Sequence, residues 1–181
     1  MKECRHQIIL DYAKWTALSA LRSGAPIKSR TDVYPRLDAV KFSEVLSPSR
    51  PVVGAEFDAW HEAQTEALCA RDPRIPTGWG AKLINVYLKT AAYVGDLGRP
   101  GLREVLHPPI DSELRKGLKR RFKGRPDILA ETCCFARIKD IKDYPTYRRI
   151  INGCKAAAKE LSCSLIEVEQ LWLGSATPPV K

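Results

Sequence analysis

Two side chains in this sequence stand where chemistry needs them, a lysine at position 82 and an aspartate at position 111. Lys82 follows Gly78-Trp79-Gly80, and Asp111 is delivered by His107-Pro108-Pro109-Ile110. A helix entered through Gly-x-Gly is expected to present bare backbone N–H groups at its positive end, a place for a phosphate oxygen. A lysine just inside such a helix adds charge or, once desolvated, a nucleophilic amine. Two prolines hold the backbone extended up to the aspartate, which can then cap the next helix and be fixed in place. Directly after it come Arg115, Lys116, Lys119, Arg120, Arg121, Lys123 and Arg125, a basic run suited to phosphates.

The elements that must position these groups read as helices. From Ala81 to Val94 the apolar residues cover most of a helical circumference, which predicts a central helix buried on more than one side. Lys82 and Asn85 interrupt it three apart, on a common face, and Gly95 stops it. Before it, residues 54–71 predict a helix with Glu56 and Asp58 in its first turn and Phe57, Trp60, Ala63, Ala67 and Leu68 on one face. Residues 54–94 thus form a helix-hairpin-helix-like unit. Residues 107–125 form the aspartate motif and a basic helix to about Phe122, broken at Gly124-Arg125-Pro126.

Around this centre, residues 4–22 predict an amphipathic helix that turns Ile8, Ile9, Tyr12, Trp15, Leu18 and Leu21 inward. Residues 25–51 are irregular, with a short apolar piece from Val40 to Leu46. A less regular helix is expected around 127–136. A firmer one starts at Pro145 and buries Tyr147, Ile150, Ile151, Cys154, Ala158 and Leu161. The last carries a capping box at Ser164 and Glu167, buries Leu165, Val168, Leu171 and Trp172, ends at Gly174, and leaves a tail at 175–181. No alternating run predicts a strand and no repeat recurs. The expected fold class is all-α, one compact helical domain over 1–181.

Composition narrows the function classes. No apolar run approaches the roughly 20 residues of a membrane span, and the N-terminus lacks a secretory h-region. The chain reads as soluble and cytoplasmic, with no membrane and no obligate protein partner implied. The six cysteines are scattered without a C-x-x-C pair, so reduced thiols are expected, with no metal and no cofactor. A net charge of +9, concentrated in the basic run, points instead to a polyanion.

Gly78-Trp79-Gly80, Lys82 two residues after the second glycine, and Ile110-Asp111-Ser112 together resemble the catalytic segment of the helix-hairpin-helix DNA glycosylase superfamily, over roughly residues 55–122. There a hairpin of Leu-Pro-Gly-Val-Gly type leads through a lysine into an apolar helix and on to a Val-Asp-Thr aspartate. This chain departs from that pattern in Thr77, which separates Pro76 from the glycines, and in the 29 positions between Lys82 and Asp111, more than the family usually shows. The iron–sulfur cysteine cluster of some members is also absent.

The resemblance implies flipping of a base out of DNA, with a duplex as the expected partner, and hydrolysis of the N-glycosidic bond to an abasic site. Asp111 would be the catalytic carboxylate and Lys82 would assist or, as a nucleophile, add strand cleavage. Gly78, Trp79, Gly80, Arg115, Lys116, Lys119, Arg120 and Arg121 would bind DNA, with Trp60, Trp79, Tyr87 and Tyr93 as candidates for a base pocket. Damaged bases, or modified bases in foreign DNA such as that of phage, are the expected substrates, which would make phage defence one setting for such base excision.

Plainer readings stand beside these. Asp111 can be only a helix cap, Lys82 only a solvated or phosphate-facing lysine, and the glycines only turn residues. His61 and His107 read as core or surface histidines, and Trp15, Trp60 and Trp172 as core. The alternative to an enzyme is a non-catalytic nucleic-acid-binding helical module using the same basic helix. A helical protein that meets an acidic partner is a third reading.

Overall fold

A computed structural model describes residues 2–21 and 24–175, and among these every regular element is helical. Helix α1 spans Lys2–Ser19, α2 Arg30–Asp38, α3 Ser43–Leu46, α4 Gly54–Arg71 and α5 Thr77–Leu88. A π-helical segment, Lys89–Val94, continues α5. Then follow α6 at Leu102–Val105, α7 at Ser112–Arg121, α8 at Pro126–Thr132 and α9 at Tyr144–Leu161. Three 3-10 turns occupy Ile138–Asp140, Ile166–Leu171 and Leu173–Ser175. The expected tail beyond Ser175 lies outside the described residues.

Helix α5 is the axis of the fold, and every one of its residues is buried. Most of it belongs to an apolar cluster with α1 to α4, including Phe57, Leu68, Leu83, Ile84 and Leu88. Its Ala81 belongs to a second cluster, with Ile110, Leu114 and Leu118 from the segment before α7 and from α7 itself, and with Tyr147, Ile150 and Ile151 of α9. One helix therefore contributes to both cores, which is why its sequence is apolar around most of its circumference.

The glycines of Gly78-Trp79-Gly80 lie inside the first turn of α5, not in a loop before it. Pro76 is extended and its carbonyl accepts from the Trp79 N–H at 2.9 Å and the Gly80 N–H at 3.1 Å, while the Gly78 N–H donates to the Ile141 carbonyl at 3.0 Å. All three amides are spent inside the protein. This corrects the expectation of bare N–H groups aimed at phosphate: the helix starts at Thr77, four residues before the Ala81 read from the sequence, and takes the glycines into its first turn. Glycine is needed at 78 for close approach: a Cβ there would stand 2.2 Å from the Ile138 carbonyl oxygen.

Helix α1 also differs from its expected face. Ala13 and Ala17 are its buried residues, whereas Ile8, Tyr12 and Trp15 are exposed. Ile9 and Leu18 of the expected face, and Leu21 just after the helix, do pack against the core, partly buried, while Ala13 and Ala17, one turn apart, let α1 lie close against α5. The C-terminal segment is 3-10 and not α. The Ser164 N–H donates to Glu167 at 2.8 Å while its hydroxyl has no partner, so only half of the expected capping box forms.

Candidate functional site

The residues between α6 and α7 form an extended strap, His107 to Asp111, gripped from below by α5 and α9. Asn85 donates to the Pro108 carbonyl at 3.1 Å, and one turn earlier on α5 Lys82 Nζ donates to Asp111 Oδ2 at 3.1 Å. The common face read for Lys82 and Asn85 is thus the face that holds the strap. Asp111 itself is the N-cap of α7: its Oδ1 accepts from the Glu113 and Leu114 N–H groups, each at 3.0 Å.

A third partner comes from far along the chain. The Trp172 indole N–H donates to both oxygens of Asp111, at 3.1 and 3.2 Å. Lys82 also lies over the Trp79 ring, 5.5 Å from its centroid. Lys82 is 6% exposed at its side chain and Asp111 17%, so the ion pair is largely withdrawn from water yet still reachable. Trp172, a core residue on the sequence reading, is a member of this site. Its helical neighbourhood carries no signal of that, because the interaction spans 61 positions.

Two clefts meet at the pair. One, of about 750 Å³, is bordered by Trp79, Glu113, Arg137, Lys139 and Leu173. The other, of about 280 Å³, is bordered by Trp15, Thr16, Val86, Lys89, Pro109 and Glu169. The residues lining both are Lys82, Asp111 and Trp172. Nothing in the sequence singles out Arg137 and Lys139, since two isolated cations in a loop look like any surface.

Below the strap lies a buried polar network that ties α4, α5 and α9 together. His61 Nε2 lies 2.8 Å from Asn85 Oδ1, and since the Asn85 amide N–H groups go to Pro108 O and Tyr147 OH, His61 must donate here. Its Nδ1 then accepts from Tyr144 OH at 2.8 Å. Tyr147 OH in turn donates to His107 Nδ1 at 3.1 Å, and His107 Nε2 donates to Asp58 Oδ1 at 2.8 Å. Each hydrogen points one way, so the whole network is satisfied with both imidazoles neutral.

Burial lowers the pKa of both histidines, His61 well below its ordinary value, with the neighbouring imidazole adding to the effect on His61. Asp58, half desolvated, is nevertheless held down at about 2 by its bonds from His107 and Lys155. Between neutral pH and the lowered histidine pKa values the unfolded chain takes up protons that the folded chain refuses. The contribution of both histidines to stability is therefore full above about pH 6.5 and declines as the pH falls. Thermal melts from pH 8 to 5 should show a plateau near neutrality and a falling melting temperature below it. A melting temperature that rises on acidification would contradict neutral, buried imidazoles.

Asn85 is the hub of this network. Asn85→Ala should cost about 3 kcal/mol in chemical denaturation, because it strands the His61 N–H and the Pro108 carbonyl without partners. It should also loosen the strap that carries Asp111.

The basic helix α7 presents an uneven face. Lys119, Arg120 and Arg121 are exposed and form no ion pair among the described residues, whereas Lys116 pairs with Glu113 at 2.8 Å. Arg115 is partly buried, its guanidinium 5.6 Å from the Phe135 ring centroid. Arg125 pairs with Asp127 at 2.7 Å and with Glu160. The cations available to a ligand are thus fewer than the run suggests. Of the aromatic candidates, Tyr87 is buried and stacked on Phe42 with centroids 3.8 Å apart, and Trp60 packs with Phe42 and Phe57 away from both clefts.

Among the described residues no group of three or more His, Cys, Asp or Glu side chains is placed to hold a metal ion, and no helix is long and apolar enough to cross a membrane. The described cysteines are all free thiols, and burial pushes Cys154 up to about 12 and Cys69 up to about 11. No protein-family model, no curated protein and no solved structure matches the chain.

Proposed function

We propose that this protein is a DNA glycosylase in which Asp111 is the catalytic carboxylate. The observation that carries the reading is the largely buried Lys82–Asp111 pair at the junction of two clefts, one of them bordered by cations. A nucleotide extruded from a duplex has two parts of different chemistry joined at one bond, and a junction of two clefts suits that shape.

Departure of the base takes the bonding electron pair with it and leaves positive charge on the deoxyribose. An ionised carboxylate held beside the sugar stabilises that charge without reorganising, since Asp111 is already fixed by two backbone N–H groups and an indole. Water then adds to the sugar carbon and gives up its proton to the carboxylate. Lys82 Nζ is engaged with Asp111 at 3.1 Å, an arrangement that supports hydrolysis over attack by the amine. In this role Lys82 orients the carboxylate and adds positive charge near the phosphates. The exposed cations of α7, Lys119, Arg120 and Arg121, supply the salt-sensitive part of DNA affinity.

A binding module that only neutralises phosphates needs no carboxylate held between two clefts, so the placement of Asp111 beside Lys82 at that junction favours catalysis over that alternative. The test is incubation of the protein with plain, damaged and hypermodified duplexes, followed by assay of abasic sites with and without alkali. Abasic sites that need alkali for strand cleavage fit the proposed hydrolysis. Strand breaks without alkali would instead assign attack to Lys82. Tight DNA binding with no base release from any substrate would leave the binding-module reading in place of the enzyme.

A further inference from the structure

The two clefts that meet at Asp111 differ in chemistry. In the smaller one, Trp15 of α1 and Trp172 provide aromatic surface, Val86 and Pro109 apolar surface, and the polar groups come in matched pairs. Thr16 Oγ1 and Thr90 Oγ1 share a hydrogen at 2.8 Å, and Lys89 Nζ donates to Glu169 at 2.7 Å. Donors and acceptors are present while the charges cancel, which suits a flat, neutral ring with a hydrogen-bonding edge. Trp15 is 52% exposed and stacked on Tyr12, their centroids 5.4 Å apart, so a large aromatic face is held in place at the surface.

The larger cleft is different. Lys139, exposed and without an ion pair among the described residues, stands on its border beside Arg137, which pairs with Asp140 at 3.3 Å, and through Leu173 it meets a groove lined by Gly117, Arg120 and Arg121 of α7. Cations spread along a track match successive phosphates, not a single ring.

The geometry points to a division of the nucleotide between the clefts: the extruded base enters the small cleft against Trp15, its edge read by Lys89 and Glu169, while the sugar–phosphate chain follows Lys139 to Arg120. The N-glycosidic bond then crosses Lys82, Asp111 and Trp172, the residues common to both clefts. This assignment rests on the glycosylase reading. It goes beyond that reading by naming the side from which the base is held, a side that places α1 in the site although none of its residues is a sequence candidate for it.

The division is tested with two duplexes, one bearing a releasable base and one bearing a tetrahydrofuran abasic analogue, which keeps the backbone and lacks the base. Trp15→Ala and Glu169→Gln should lower single-turnover base release at least tenfold while leaving affinity for the tetrahydrofuran duplex within twofold of the parent protein. Lys139→Ala combined with Arg120→Ala should weaken binding of the tetrahydrofuran duplex at least fivefold and reduce the slope of log affinity against log salt by about 2, one for each phosphate no longer neutralised. Unchanged base release in both Trp15→Ala and Glu169→Gln, with Asp111→Asn inactive, overturns the division and leaves the reaction standing. Equal weakening of both duplexes by Trp15→Ala also overturns it, since Trp15 would then touch the backbone. Full base release by Asp111→Asn, or none by the parent protein, overturns the reaction and the division with it.

Discussion

Asp111→Asn is expected to lower base release by about a hundredfold to a thousandfold, the range seen when a preorganised charge-stabilising group is removed from an active site. Fold and DNA affinity should be kept. Asparagine is as good an N-cap as aspartate, and with its one carbonyl oxygen in the place of Oδ1 the bonds from the Glu113 and Leu114 N–H groups of α7 survive. What disappears is the negative charge that a cationic sugar would meet. The amide also brings an N–H pair to face the Lys82 ammonium and the Trp172 indole, both of which are donors. A loss of about 1–2 kcal/mol in stability should accompany that mismatch, well short of unfolding. The measurement is single-turnover base release with saturating enzyme, beside a thermal melt and a binding isotherm. Undiminished base release in a folded variant would remove Asp111 from the chemistry.

Gly117→Ala is expected to have the largest effect on stability, roughly 3 kcal/mol or more, a fall of about 6–12 °C in melting temperature for a chain of this size. A Cβ at position 117 would stand 1.8 Å from the Leu171 carbonyl oxygen and 2.7 Å from its carbon. Both are backbone atoms, with no rotamer available to move aside. The consequence reaches the site, because the close approach of α7 to Leu171 is what sets the neighbouring Trp172 beside Asp111. Backbone displacement at 171 should therefore also lower base release, and the 15N-resolved indole N–H signal of Trp172 should shift in this variant as it does in Asp111→Asn. A melting temperature unchanged by Gly117→Ala would show that the two segments do not pack at this distance.

How much of this is legible in the sequence follows from the range of the interactions involved. Helix α4 is legible with its observed boundaries, because a continuous amphipathic run with acidic residues at its start and Asp72-Pro73 at its end is a local pattern. Burial of α5 is legible for the same reason. The N-cap role of Asp111 follows from two prolines and a short polar side chain. Helix α2 is not legible, since Pro35 sits inside Arg30–Asp38 and reads as a breaker, while the Ser29 cap on Asp32 that starts the helix is an ordinary pair of residues.

The sequence by itself determined an all-helical chain and the order of its main helices, and it singled out Lys82 and Asp111, which the fold brings together as an ion pair. Those are matters of neighbours three and four apart, of prolines and of caps. Only the tertiary structure decided that the amides of Gly78, Trp79 and Gly80 are consumed by Pro76 and Ile141, that Trp172 binds the carboxylate from 61 positions away, and that Trp15 faces outward over a cleft. The physical reason is that a side chain's periodicity states only which face of a helix it occupies. What that face meets depends on how closely two backbones can approach, and here Ala13, Ala17, Gly78 and Gly117 set those distances.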